Sequence, residues 1–108
     1  MSYANEKLSL AIYELTVGEG DIKERLESII KYLTPLTETD FPENLRVKWS
    51  FIMDKLTAKE SSVKGTVYDE GNFSASLFRM HKSTAAKIAK ELVELNEGLE
   101  AAEQDGIW

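Results

Sequence analysis

The sequence predicts an all-α protein, a compact bundle or orthogonal array of four main helices plus one short helix. Three observations predict it. Glycine and proline are sparse, 6 and 2 in 108 residues, which favours long regular elements over a turn-rich β architecture. Apolar residues recur at helical steps in four separate segments. The connections between most of those segments are short, which favours antiparallel neighbours.

The elements follow in order. Leu8, Ala11, Ile12 and Leu15 fall at spacings of three and four and define one helix face. Val17-Gly18-Glu19-Gly20 stops that helix, with glycine free to take the left-handed cap. Asp21 opens the next helix, and Glu24 three residues later makes an Asp variant of the capping box. Ile22, Leu26, Ile29, Ile30 and Leu33 then occupy steps 0, 4, 7, 8 and 11, the strongest helical signal in the chain. Pro35 marks its end, because the residue before a proline avoids the helical region. Thr37 to Asp40 reads as a loop. Asp40-Phe41-Pro42-Glu43 reads as a helix start, with Pro42 in the first turn and Glu43 at the positive end of the dipole. Leu45, Trp49, Ile52, Met53 and Leu56 repeat the 0, 4, 7, 8, 11 template, so two core-facing helices are expected, without a repeat of the surrounding residues.

The segment 57–72 holds Ser61, Ser62, Gly65 and Gly71 and no helical period. Val63, Gly65 and Val67 alternate, as a short strand would, but a lone strand has no partner within the chain. A flexible loop is expected there, and loops of this length are often functional. Phe73 to Met80 forms the short helix, burying Phe73, Leu77 and Met80. Ser83 is a candidate cap for the last helix, whose inner face carries Ala85, Ile88, Ala89, Leu92, Val93 and Leu99. Gly98 weakens that helix by about 1 kcal/mol relative to alanine. Asp105-Gly106 ends it and Ile107-Trp108 form a tail, so residues 1–108 read as one helical domain.

Asp40-Phe41-Pro42, Leu45, Trp49, Ile52 and Leu56-Thr57, with Met80, Ile88-Ala89, Leu92 and Leu95 later, resemble a pattern in short uncharacterised all-helical proteins of bacteria and phages. The resemblance covers roughly residues 8 to 99 and rests on a helix start plus core spacing. It implies an all-α fold and carries over no activity, cofactor or site residue.

Composition narrows the function classes. There is no cysteine, which excludes disulfides, thiolate metal sites and cysteine nucleophiles. No apolar run approaches the roughly 20 residues of a membrane span. Glu6, Lys7 and Glu14 interrupt the N-terminal segment, so no signal peptide is expected and the cytoplasm is the default compartment. Thirteen Lys and Arg against nineteen Asp and Glu give a net charge of −6, which works against direct nucleic-acid binding.

Two clusters are candidate sites. Arg79, His81, Lys82 and Ser83, with Lys87 one turn on, place cations at a helix N-terminus, the arrangement that binds phosphate or carboxylate. The plain alternative is a solvated turn. Glu91, Glu94, Glu97, Glu100 and Glu103 recur every third residue, and Asp105 follows them. No Lys or Arg lies between 91 and 108. Each step of three turns the helix by about 300°, so the acids form a wrapping stripe. They crowd the negative end of the helix dipole, a local electrostatic penalty. Such a stripe is a docking surface for a basic partner or a mimic of nucleic-acid charge; more often a charge run is a solvent face.

Other constellations are weaker. Thr84 to Leu92 resembles the first helix of a helix-turn-helix, but Val93 stands where the turn glycine belongs, and Asn96 to Gln104 carries acids and no base. Asp69-Glu70-Gly71-Asn72 lacks the alternating ligands of an EF-hand, one histidine cannot build a zinc site alone, and Gly18-Glu19-Gly20-Asp21 lacks the lysine of a phosphate loop, so no metal site or cofactor is expected. Trp49, Phe51, Tyr68, Phe73, Phe78 and Trp108 cannot share one inner face. Trp49 fits the core period and Phe51 falls off it; a neighbouring helix is expected to cover Phe51, with self-association into a homodimer left open. No nucleophile–base pair is legible. The function expected is a non-enzymatic interaction or regulatory protein acting through the last helix and the 57–72 loop. The alternatives are an acidic decoy of a nucleic-acid-binding protein and an anion-binding module at residues 79 to 87.

Overall fold

Ser2 opens the first helix: its Oγ accepts the backbone N–H of Asn5 at 3.2 Å, the role a small hydroxyl residue plays at an N-cap. The computed structural model describes residues 2–57 and 70–106. In it α1 is Tyr3–Val17, α2 Ile22–Leu33, α3 Glu43–Leu56, α4 Glu70–Arg79 and α5 Lys82–Gln104, with a 3-10 turn at Glu38–Asp40. There is no strand among the described residues. The fold is all-α, with four longer helices and one short one among the described residues. Residues 58–69 of the expected 57–72 loop, Tyr68 among them, lie outside the described residues, as does the Ile107-Trp108 tail. Residues 70–72 are not loop but the first turn of α4, which starts earlier than the expected Phe73 and ends at Arg79.

α5, 23 residues and about 35 Å long, is the central element. It packs against α1, α2 and α3, while α1 also packs on α2, and α4 on α2 and α3. One core joins them. Leu26, Ile29, Ile30 and Leu33 of α2 are buried in it with Trp49, Ile52, Met53 and Leu56 of α3. The first residue of each template, Ile22 and Leu45, is only partly buried against that core. Phe73 and Leu77 of α4 are buried, and Met80 packs on the rim. From α5, Ala85, Ile88, Leu92, Leu95 and Leu99 point inward, while Ala89 and Val93 are half-buried. A Cβ at Gly98 would stand 3.0 Å from Leu45 Cδ2, so a side chain there would press on the Leu45 tip of α3.

Several local expectations need correction. Gly18 is extended, with φ −64°, and Gly20 takes the left-handed angle, φ 92°. A side chain at Gly18 would collide with the Glu14 carbonyl at 2.6 Å. Thr34 keeps helical angles (φ −59°, ψ −34°), so α2 ends because Pro35 has no N–H to donate, not because Thr34 leaves the helical region. Thr37–Asp40 is not a plain loop. The Thr37 N–H donates to Asp40 Oδ2 at 2.8 Å and the Asp40 N–H returns to Thr37 O at 3.0 Å, winding a 3-10 turn. Pro42 sits at the N-cap of α3, just before its first turn. The buried Phe41 ring stacks on Trp49 at 4.8 Å and fixes how the chain enters α3. Ser83 does not cap α5: His81 holds the N-cap position without a side-chain cap bond, and Ser83 is exposed in the first turn.

Two asparagines inside the apolar packing fall outside the core pattern read from the sequence. Asn5 and Asn96 are 3% and 8% exposed. Asn5 Nδ2 donates to Asn96 Oδ1 at 2.9 Å and to Glu100 Oε1 at 3.3 Å. Asn96 Nδ2 donates to the same Glu100 oxygen at 3.2 Å. One end of α1 is thereby fixed in register against the second half of α5, running antiparallel to it.

A satisfied buried network loses stability when one member is removed, because its partners keep their desolvation penalty. Asn5→Ala and Asn96→Ala are each expected to destabilise the protein by about 2 kcal/mol in urea unfolding. The double variant is expected to fall short of the sum by about 1 kcal/mol. Additive losses would show that the two amides act separately.

Candidate interaction surfaces

The acidic stripe does not form one free face. Glu94 reaches α3 and pairs with Lys48 at 3.6 Å. Glu100 accepts from both buried asparagines, and Glu103 accepts the backbone N–H of Ser2. Glu91 is half-buried and Glu97 is exposed. The 300° step explains the split, since successive acids look toward different neighbours. The same contacts answer the electrostatic penalty that the sequence carries. Glu100 and Glu103 lie at the negative end of α5, but the antiparallel α1 brings its positive N-terminus against them.

The cationic cluster is also divided. Arg79 ends α4 and Lys82 begins α5; both line a cleft of about 540 Å³ between α2 and α4. Lys23 lines it too, but so do Asp21, Glu24 and Glu27, so three acids offset three bases. His81, Ser83 and Lys87 are exposed and stand outside that lining. Lys82 pairs with Asp21 at 3.5 Å, and Lys23 Nζ donates to the Phe78 carbonyl at 2.9 Å. α5 has no acid in its first turn, so Asp21 of α2 supplies the negative charge that a helix start favours. Asp21 also caps its own helix, accepting the Glu24 N–H at 3.0 Å. That backbone bond, followed by the nearby Lys82 ammonium, holds the Asp21 carboxyl below its ordinary value despite partial desolvation.

A different surface escaped the sequence reading. On the side of α1 away from the core, Tyr3, Leu10, Tyr13 and Val17 are exposed, at 49, 42, 65 and 56%. Their spacing, 3, 10 and 17 with 13 between, is visible in the sequence, but the inner set of Leu8, Ala11 and Leu15 already accounts for the helix and masks it. Lys7 stands over the Tyr3 ring at 5.4 Å. Glu14 borders the same face, accepting from Tyr32 Oη at 2.6 Å and pairing with Lys31 at 3.7 Å. The bond to Glu14 raises the Tyr32 phenol above its ordinary pKa, with desolvation adding to it. Elsewhere, Phe51 is not covered by a neighbouring helix as expected. It is 41% exposed, with Val47 one turn away and Lys55 over its ring at 5.6 Å. Phe78 is the most exposed large apolar residue described, at 83%.

The chemistry is limited. Among the described residues no three His, Asp or Glu could together hold a metal ion, and no helix is long and apolar enough to cross a membrane. α5 runs unbroken through residues 84–104, so the turn of a helix-turn-helix is absent there.

The two roles of Asp21 give a pH signature. Its carboxyl is depressed on folding, so its stabilisation is complete above the unfolded value of 3.8 and is lost as pH falls through the lower folded value. Asp21→Ala is expected to lower the thermal midpoint at neutral pH, with the gap to the parent closing in acid as Asp21 protonates. A gap that persists unchanged through the acid range would contradict the assignment.

No protein-family model matches the chain, and no curated protein or solved structure matches it.

Proposed function

We propose that this chain is a non-enzymatic, cytoplasmic protein-interaction module, and that the outer face of α1 is its docking surface. The observation that carries the reading is the stripe of Tyr3, Leu10, Tyr13 and Val17, four large apolar side chains left in water along one helix face. A contiguous apolar stripe rimmed by polar residues is characteristic of interaction sites, whereas scattered exposed apolar residues need no explanation. Tyrosine adds to the argument, being a frequent anchor at interfaces.

This moves the interaction surface away from the last helix, whose Glu100 and Glu103 are occupied by α1. The decoy reading weakens for the same reason: a mimic of nucleic-acid charge needs its acids free on one face. The anion-binding reading keeps one favourable feature, the N-terminus of α5 without a side-chain cap. Against it stand the pairing of Lys82 with Asp21 and the acids of the adjoining cleft.

The test is a photo-cross-linking residue in place of Tyr13, introduced into the full chain in cells. Covalent adducts to protein are expected at this position and not with the same residue in place of Lys87. Adding Leu10→Glu is expected to reduce the yield by about 30-fold, the effect of losing a contact worth about 2 kcal/mol. Equal yields from positions 13 and 87, or no protein adduct from position 13, would overturn the proposal.

A further inference from the structure

The spacing of the exposed residues on α1 defines the shape of what covers them. Tyr3, Leu10 and Val17 are seven apart, and Tyr13 falls three and four residues from its neighbours. These are the a and d positions of a heptad, with Glu6 at the remaining d position. A seam of this period is complementary to another helix, because knobs at 3.5-residue spacing fill holes on a helical partner.

We infer that the partner is a second copy of this chain, docked through α1 in antiparallel orientation, with Leu10 of each copy against Tyr13 of the other. The inference rests on the reading of this face as a protein-docking surface. Charge selects the orientation. Lys7 and Glu14 lie on the same flank of the seam, the side toward α2. When the helices run antiparallel with Leu10 against Tyr13, Lys7 of each copy stands opposite Glu14 of the other, twice over by symmetry. A parallel pair would instead set Glu6 against Glu6 in the seam, a like-charge contact taken out of water. It would oppose the charged flank with Ser2, Ser9 and Thr16, which offer no complement. Antiparallel pairing moves Glu6 to the end of the seam beside Val17, near solvent. A lipid surface is a poorer occupant, since interfacial helices keep charge off their apolar face and flank it with Lys and Arg, and this seam holds Glu6 within it and Glu14 on its flank.

The area sets the strength. α1 is about 22 Å long, too short for the ~800 Å² per partner of a standard interface. The dimer therefore belongs to the small, transient class, and association is sought between about 10 µM and 1 mM.

Sedimentation equilibrium of the full chain tests this across that concentration range, in about 0.15 M salt to screen the net charge. The weight-average mass is expected to rise toward twice the chain mass. Leu10→Glu is expected to weaken association about 10-fold or more, with the circular-dichroism spectrum unchanged. Lys7→Glu and Glu14→Lys chains are each expected to associate less than the parent. Mixed in equal amounts they are expected to regain parental association, because the two acids on the flank of the first variant then face the two lysines on the flank of the second. Glu14 also holds Tyr32, so if Glu14→Lys fails to fold, Leu10→Cys and Tyr13→Cys chains decide the orientation: a disulfide between the two variants is expected, and disulfides only within each variant overturn the antiparallel pairing. A single-chain mass at every concentration overturns the inference, and failure of the mixture to recover overturns the antiparallel pairing. A monomeric chain whose Tyr13 position still cross-links to another protein overturns self-pairing and leaves the docking surface standing. Absence of both association and cross-links overturns the two together.

Discussion

The antiparallel docking of α1 on α5 is the constraint on which the rest depends. Asn5 and Asn96 hydrogen-bond each other within otherwise apolar packing, and both donate to Glu100 at its exposed edge. Apolar surfaces attract one another at many offsets with similar energy. Buried amides do not, because a shift of one residue leaves donors and acceptors unpaired at about 1–3 kcal/mol each. The network therefore selects one register. That register puts the α1 N-terminus beside Glu103, turns Leu8, Ala11 and Leu15 into the core and leaves Tyr3, Leu10, Tyr13 and Val17 outside.

Helix ends are where the charges settle. The acids that close α5 meet the start of α1, and the lysine that opens α5 meets the aspartate that opens α2. Each pairing corrects a charge that its own helix dipole disfavours. Lys48 and Glu94 tie α3 to the middle of α5, both partly exposed and contributing little by themselves. Both clusters that looked like binding sites in the sequence thus have structural partners for some of their charges. Four large exposed side chains instead share one face of α1.

Much of the fold was legible because burial leaves a period. The 0, 4, 7, 8, 11 sets of α2 and α3 went into the core nearly intact, with only Ile22 and Leu45 at the rim. What was illegible depends on partners distant in the chain. Asn5 and Asn96 are 91 residues apart, and nothing local marks either as buried. The start of α5 looked like Ser83 because serine is a good cap; the helix starts earlier, at a histidine whose side chain makes no cap bond, between Met80 on the core and Lys82 beside Asp21. The outer face of α1 was legible in principle. α1 is apolar on two sides, and the inner set of Leu8, Ala11 and Leu15 by itself explains the helix, which hides the outer set.

α1 is locked into the core by one face and held there by the Asn5–Asn96–Glu100 set. Native-state amide hydrogen exchange measures this most directly. The amides of Leu8, Ala11 and Leu15 are expected to exchange only with global unfolding, in step with those of Leu92, Leu95 and Leu99, and Asn96→Ala is expected to release α1 before the rest. Exchange of α1 independent of α5 in the parent protein would contradict it.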